Sequence, residues 1–247
     1  MMYSKFFQNK TILITGSSQG IGATILAMLI NYSCNIITVT RKINDTHNKK
    51  KNIRNINCDF LEENSLIKSL EYNNIDPNSI DYAILCAGTK IDNRHNCYED
   101  YIKTLKVNLL ANVYFCHWIK EYKAHTLIVS SLGRYHGMKF SNGYNSSKAA
   151  LSIFVESLIF DQKALNKKAT FSLIEPGLVR TGMTKDSIIV NMFGVSKHYA
   201  AKKILKSLVK KKRFVIFPLS FRIFTFIFAN LSLTLKLIFL KYLKMND

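Results

Sequence analysis

The sequence predicts a doubly wound α/β domain on a seven-stranded parallel sheet, followed by an amphipathic, hydrophobic helical tail. Three observations carry this expectation. Short β-branched runs alternate with longer stretches of helical period, the pattern of β-α-β units. A glycine-rich turn separates the first such run from the first helical stretch. The chain has 247 residues, of which 48% are hydrophobic and 12% aromatic, enough for one large core, and α/β domains of this length often stay undivided.

In chain order the predicted strands are "TILIT" (11–15), "NIITVT" (35–40), "IRNINC" (53–58), "DYAILC" (81–86), "HTLIVS" (125–130), "TFSLIE" (170–175) and "RFVIF" (213–217). The stretches between them repeat apolar residues at helical spacing. Leu151, Phe154, Val155 and Leu158 fall at i, i+3, i+4 and i+7 and form one buried helix face. The three prolines, Pro77, Pro176 and Pro218, lie outside the helical interiors. No repeat or linker divides residues 1–217, read as one domain with its substrate lid. Residues 218–247 form the tail.

Five cysteines, Cys34, Cys58, Cys86, Cys97 and Cys116, make an odd set with no C-x-x-C pair. That argues against a disulfide framework or zinc site and for a reducing, cytoplasmic compartment. The N-terminal "MMYSKFFQNK" lacks the apolar core of a secretion signal. The net charge is +19, but no basic helix with interleaved aromatics, zinc-finger spacing or RNP-type strand accompanies it, so nucleic acid is not the expected partner. The basic residues are uneven: Lys197, Lys202, Lys203, Lys206, Lys210, Lys211, Lys212 and Arg213 directly precede the most hydrophobic segment.

"TGSSQGIG" (15–22) follows the first strand and opens a helix, the context of a Rossmann-type dinucleotide site. Gly16 permits the tight turn, Gly20 leaves room for a pyrophosphate, and Gly22 lets the helix lie close to the sheet. This T-G-x-x-x-G-I-G form resembles the glycine motif of the short-chain dehydrogenase/reductase family. The resemblance extends in order over about residues 10–217. It implies that Gly16, Ser17, Ser18, Gly20, Ile21 and Gly22 hold the nucleotide, that Asp59 in "NCDF" lies beside the adenine, and that Pro176, Gly177, Val179 and Thr181 in "PGLVRT" face the nicotinamide. The family's N-N-A-G becomes "LCAG", so Ala87 and Gly88 match while Leu85 and Cys86 replace two asparagines.

An acid at the end of the second strand would accept from the 2′-hydroxyl of NAD and repel the 2′-phosphate of NADP. Here Thr40 takes that place and Arg41 follows, a planar fork suited to phosphate. NADP is therefore the expected nucleotide, although Gln19 stands where many NADP-preferring members carry Arg or Lys.

Tyr144 and Lys148 lie four residues apart in "YNSSK", but Tyr135 with Lys139 and Tyr199 with Lys203 share that spacing. The family requires a serine thirteen residues before the tyrosine. Only Tyr144 qualifies, with Ser131 in "IVSSLG". Asn108 in "LKVNLLAN" matches the fourth member of the family's Asn-Ser-Tyr-Lys set, and the resemblance implies that it holds a water linking Lys148 to solvent.

The chemistry needs these types together. Reducing a ketone leaves a developing alkoxide, which requires an oriented donor and a proton delivered as charge appears. Ser131 would orient the carbonyl and Tyr144 would donate the proton. Lys148, one helical turn on, would favour the phenolate, and Tyr144 and Lys148 would also touch the cofactor.

Between Thr181 and Ser196, Ile188, Ile189, Val190, Met192 and Phe193 either form an apolar lid over a hydrophobic substrate or pack on the core. In the tail, Phe224, Ile227, Phe228, Leu231, Leu235, Ile238, Phe239 and Tyr242 share one face if the segment is a single helix. Its uncharged run, Ile223 to Leu235, is too short to span a bilayer. The face suits either an anionic membrane surface, as a peripheral attachment, or a second subunit of a homodimer or homotetramer. The expected activity is NADP(H)-dependent interconversion of an apolar ketone or aldehyde and an alcohol. The rivals are a soluble reductase of a polar metabolite and a non-catalytic NADPH sensor.

Overall fold

The computed structural model describes residues 3–42, 52–62, 64–184, 190 and 193–242. All seven predicted strands pair in one sheet: β1 (Thr11–Thr15), β2 (Asn35–Thr40), β3 (Ile53–Asn57), β4 (Tyr82–Leu85), β5 (His125–Val129), β6 (Thr170–Pro176) and, at the far edge, Phe214–Phe217. A further pair of two-residue strands, β7 (Val179–Arg180) and β8 (Val195–Ser196), makes a small parallel sheet beside it. The edge strand is therefore β9, and the large sheet runs β3-β2-β1-β4-β5-β6-β9 with every pairing parallel.

The apolar runs are continuous because both faces are covered. Leu13, Val39, Ile56 and Leu85 point to one face, where Phe115, Leu151 and Val155 pack on them. Those three come from α5 (Ala111–Ile119) and α6 (Asn142–Ala164), with α3 (Ser65–Tyr72) and α4 (Tyr98–Leu105) on the same side. Ile12, Ile14, Ile36 and Leu127 point to the other face, against Phe7, Ile25, Leu29, Ile204 and Leu208. These belong to α1 (Ser4–Phe7), α2 (Gly20–Leu29) and α7 (Lys197–Val209). The strand order reverses between β1 and β4, which opens a crevice at their carboxyl ends, where such sheets take ligands.

The tail is helical, but it is not one helix. It forms α8 (Leu219–Asn230) and α9 (Leu233–Tyr242), separated by an extended Leu231. Ser232 starts the second helix by accepting from the Leu235 amide at 3.3 Å, the action of an N-cap. Lys236 then reaches back to donate to the Ala229 carbonyl at 2.8 Å, closing the end of α8. The eight residues expected on one face are thus divided. Phe228 is buried, edge-on to His136, and Phe239 folds back onto Phe224 and Phe228. What stays outside is still large: Leu219, Ile223, Phe224, Phe226 and Ile227 of α8 and Leu233, Leu235, Leu237 and Ile238 of α9 are exposed. Among the described residues, no helix is long and apolar enough to cross a membrane.

Candidate active site

The glycine turn sits at the β1 carboxyl end and leads into α2. Gly16 has φ +68°, and a Cβ there would lie 2.6 Å from the Ala87 Cα, so the turn and the segment after β4 touch backbone to backbone. Gly22 is equally closed: its Cβ would fall 2.3 Å from the Gly16 carbonyl oxygen. Gly20 differs. It has φ +60°, and a Cβ there would meet only the Thr181 side chain, at 3.7 Å. The first and third glycines serve the fold, while the second borders a cleft closed on its far side by Thr181. Ser17 is buried, Ser18 and Ile21 are half-buried, and the turn presents the amino end of α2 to that cleft. A dinucleotide fits here by the chemistry of the cradle, since the first amides of a helix have no partner within it and Gly20 puts no side chain of its own over them.

Across the cleft, Arg41 emerges exposed from the end of β2, after the buried Thr40. Asp59 stands two residues beyond β3 and accepts from the Leu61 amide at 3.0 Å, which orients its carboxylate at the same edge. The Ala87 amide donates to Thr15 Oγ1 at 3.2 Å, holding the "LCAG" segment on β1. Burial of Cys86 pushes its thiol up to about 12, so it remains neutral. Pro176 ends β6, Gly177 donates to the Phe217 carbonyl at 2.7 Å, and Val179 is buried in β7.

Asn108, Ser131, Tyr144 and Lys148 come together from three elements. Lys148 lies one turn after Tyr144 near the start of α6. Ser131 follows β5 and caps the 3-10 turn Leu132–Tyr135, accepting from the Gly133 amide at 3.0 Å. A Cβ on Gly133 would lie 3.3 Å from Ser131 Oγ and 3.5 Å from Tyr144 Cε1, which places the hydroxyl and the phenol ring side by side. A Cβ on Gly88 would lie 3.4 Å from Asn108 Oδ1 and 3.7 Å from Lys148 Nζ, which places the other two likewise. Asn108 sits in a π-helical turn, Lys106–Leu110, between α4 and α5. Such turns widen a helix locally and recur at functional sites.

Burial lifts Tyr144 above its ordinary value, with a hydrogen bond to Ser131 opposing, while Lys148 Nζ donates to the Val129 carbonyl at 2.9 Å. Burial also brings Lys148 down to about 8. The Asn108 side chain, for its part, is engaged by protein. It donates to the Thr89 carbonyl at 2.9 Å and to Ser147 Oγ at 3.0 Å, and accepts from the Thr89 amide at 2.7 Å. Its main-chain carbonyl accepts from Asn112 at 2.9 Å.

The rival tyrosines go elsewhere. Tyr135 donates to the buried Glu175 at 3.1 Å, and Tyr199 stacks edge-on to Phe217 under Lys203. Sequence reading missed Glu175 and Arg134, whose charges pair at 2.7 Å beneath the Ser131 turn. The available signal was a carboxylate inside an otherwise apolar strand, "TFSLIEP". Of the lid residues, Ile188, Ile189 and Met192 lie outside the described residues, Val190 is buried and Phe193 is exposed. Among the described residues, no group of three or more His, Cys, Asp or Glu side chains could hold a metal ion.

Comparison with known proteins identifies the family and the fold. A family model described as short chain dehydrogenase matches residues 10–191. The 3-oxoacyl-(acyl-carrier-protein) reductase FabG of Buchnera aphidicola subsp. Acyrthosiphon pisum is 30% identical over 195 residues, covering 71% of this chain and 76% of that protein. Among solved structures, a short chain dehydrogenase from Burkholderia cenocepacia in complex with NADP superposes with a TM-score of 0.77 at 15% identity, covering 91% of this chain and 94% of that one. A 4-hydroxyisoleucine dehydrogenase complexed with NADH gives 0.74 at 19% identity, covering 84% and 97%. With its glycine turn at the sheet's switch point and a family match over most of its length, the chain is an oxidoreductase of the short-chain dehydrogenase family.

Proposed function

We propose that this oxidoreductase is an NADP(H)-dependent reductase of apolar ketones or aldehydes that works at an anionic membrane surface. The carrying observation is the gathering at the carboxyl edge of β4 and β5 of Ser131 and Tyr144, side by side at Gly133, and of the buried Lys148 beside Gly88. When bound, NADPH supplies the hydride. Gly16 to Gly22 and Asp59 would hold its adenosine half, and Ala87, Gly88, Pro176, Gly177, Val179 and Thr181 would receive its other end. Ser131 orients the substrate carbonyl and donates to the oxygen as charge develops there. Tyr144 gives up its proton to that oxygen, and the nearby Lys148 charge steadies the phenolate that remains. Asn108 fixes the Thr89 segment beneath this group.

Arg41 after a neutral Thr40 supports the preference for NADP, since nothing acidic at that strand end repels a 2′-phosphate. An apolar substrate is supported by the aromatic tail packed against the site, and by the relative whose name records reduction of a 3-oxoacyl chain. Phe221 lies so close to Gly177 that a Cβ there would meet its ring at 2.7 Å and Leu132 at 3.3 Å. The exposed apolar faces of α8 and α9, following an exposed basic run on and after α7, support peripheral attachment to anionic lipid. We take the protein to be a homodimer or homotetramer in the cytoplasm.

The test is to incubate full-length protein with a lipid extract and NADPH and identify the carbonyl compounds that disappear. Loss of apolar carbonyls fits the reading. Loss of polar ones alone refutes its substrate half, and loss of none refutes the activity.

A further inference from the structure

Glu175 is a fully buried carboxylate that the reaction above does not use. It occupies the penultimate position of β6, directly before Pro176 and Gly177. The Ser131 turn meets it twice. Arg134 Nε lies 2.7 Å from Oε1 as an ion pair without hydrogen-bond alignment, and the Tyr135 hydroxyl donates to Oε2 at 3.1 Å. The same guanidinium donates to the Tyr135 hydroxyl at 2.8 Å and stacks over its ring at 4.4 Å, closing a triangle. Arg134 is tied in turn to Ser131, because its amide donates to the Ser131 carbonyl at 3.2 Å. From α6, Ser152 lies beside Glu175 and shares a 2.6 Å contact with Ser130, whose hydroxyl donates to the Lys148 carbonyl at 3.1 Å. One side chain thus touches the serine turn, the Tyr144–Lys148 helix and the strand that ends in the Pro176–Gly177 segment.

A buried ion pair adds little net stability against an apolar pair of similar size, since both charges must leave water. The relay through Tyr135 does fix geometry, because the guanidinium donates to the hydroxyl that donates to Oε2, while its charge stays against Oε1. We propose that Glu175 is a positioning residue: through Arg134 and Tyr135 it sets the Ser131 hydroxyl at a fixed distance from the Pro176–Gly177 segment. Resting on the reductase reading, this gives it a role in orienting substrate against nucleotide without touching either. Glu156, 3.9 Å from Arg134 and half-exposed, is too distant and too wet to replace it.

The test uses full-length protein in four forms: wild type, Glu175→Gln, Arg134→Gln and the double variant. Turnover is read with NADPH and decanal, alongside NADPH affinity, thermal midpoint and amide exchange of residues 131–137. Each single variant is expected to lose about tenfold or more in kcat, because small misplacements of reacting groups are costly, with NADPH affinity within about threefold of wild type. The double variant, with no unpaired buried charge, is expected to regain thermal midpoint but not kcat. If its kcat returns together with its midpoint, or if the singles keep kcat within about twofold, the pair is structural only and the inference fails. Amide exchange decides independently of substrate. Faster exchange confined to the Ser131 turn in Glu175→Gln supports the role, and unchanged exchange overturns it. A wild type that reduces no carbonyl counts against the reductase reading rather than against this one.

Discussion

At the scale of single residues, the site is a set of unlike groups held where water would not hold them. Tyr144→Phe is expected to abolish turnover and leave NADPH affinity nearly unchanged, because it removes the proton donor and keeps the ring. Tyr199→Phe should keep substantial activity, and equal losses at both positions would show the assignment to be wrong. Lys148 gives a pH prediction. Its folded value of about 8 lies below the ordinary 10.5, so between those values the unfolded chain binds the extra proton. Stability should therefore rise with pH across that window, and the cost of the buried charge should be present in full below it. Without nucleotide, Lys148→Met should need more denaturant than wild type to unfold at pH 7, the gap narrowing toward pH 10.5. A constant gap would contradict the burial argument. The four candidate residues were legible because the family resemblance names each by its motif. Glu175 was not, since a carboxylate in a strand declares a partner but not which one, and Arg134 lies 41 residues before it.

At the scale of elements, the strands were legible because burial on both faces writes uninterrupted apolar runs, and the nucleotide turn because two glycines leave no room for a Cβ. Gly16→Ala should lower stability and nucleotide affinity together, since its Cβ would strike the Ala87 backbone and its φ is left-handed. Unaltered NADPH binding in that variant would show the turn to be looser than described. Arg41→Asp should narrow or reverse the preference for NADPH over NADH by replacing a phosphate partner with a repelling charge. Equal affinities of the wild type for both nucleotides would remove the basis for that assignment. The break in the tail escaped periodicity, because apolar residues continue through it. Its only sequence mark is Ser232, whose capping power appears once Leu231 leaves the helix.

At the scale of the whole molecule, a basic surface and an apolar surface adjoin in sequence, and the apolar one packs its inner side against the reactive end of the sheet. Each large side chain moved fully out of water is worth about 1.5–3 kcal/mol, so faces as large as those of α8 and α9 call for a cover. Phe226 and Ile227 are exposed, whereas Phe228 beside them is buried. Phe226→Asp with Ile227→Asp should keep the fold and nucleotide affinity while abolishing sedimentation with anionic vesicles. If the wild type stays in the supernatant and the double variant instead breaks a stable dimer, the tail joins subunits. The central claim is that the Ser131, Tyr144 and Lys148 group reduces an apolar carbonyl with NADPH, and one measurement addresses it most directly: nucleotide oxidation by full-length protein on anionic vesicles carrying decanal or 2-tridecanone, compared with Tyr144→Phe. Steady oxidation of NADPH is expected, with slower oxidation of NADH and none above background in Tyr144→Phe. Oxidation that persists unchanged in Tyr144→Phe, or that fails in the wild type with both carbonyls and with the lipid extract, would contradict it.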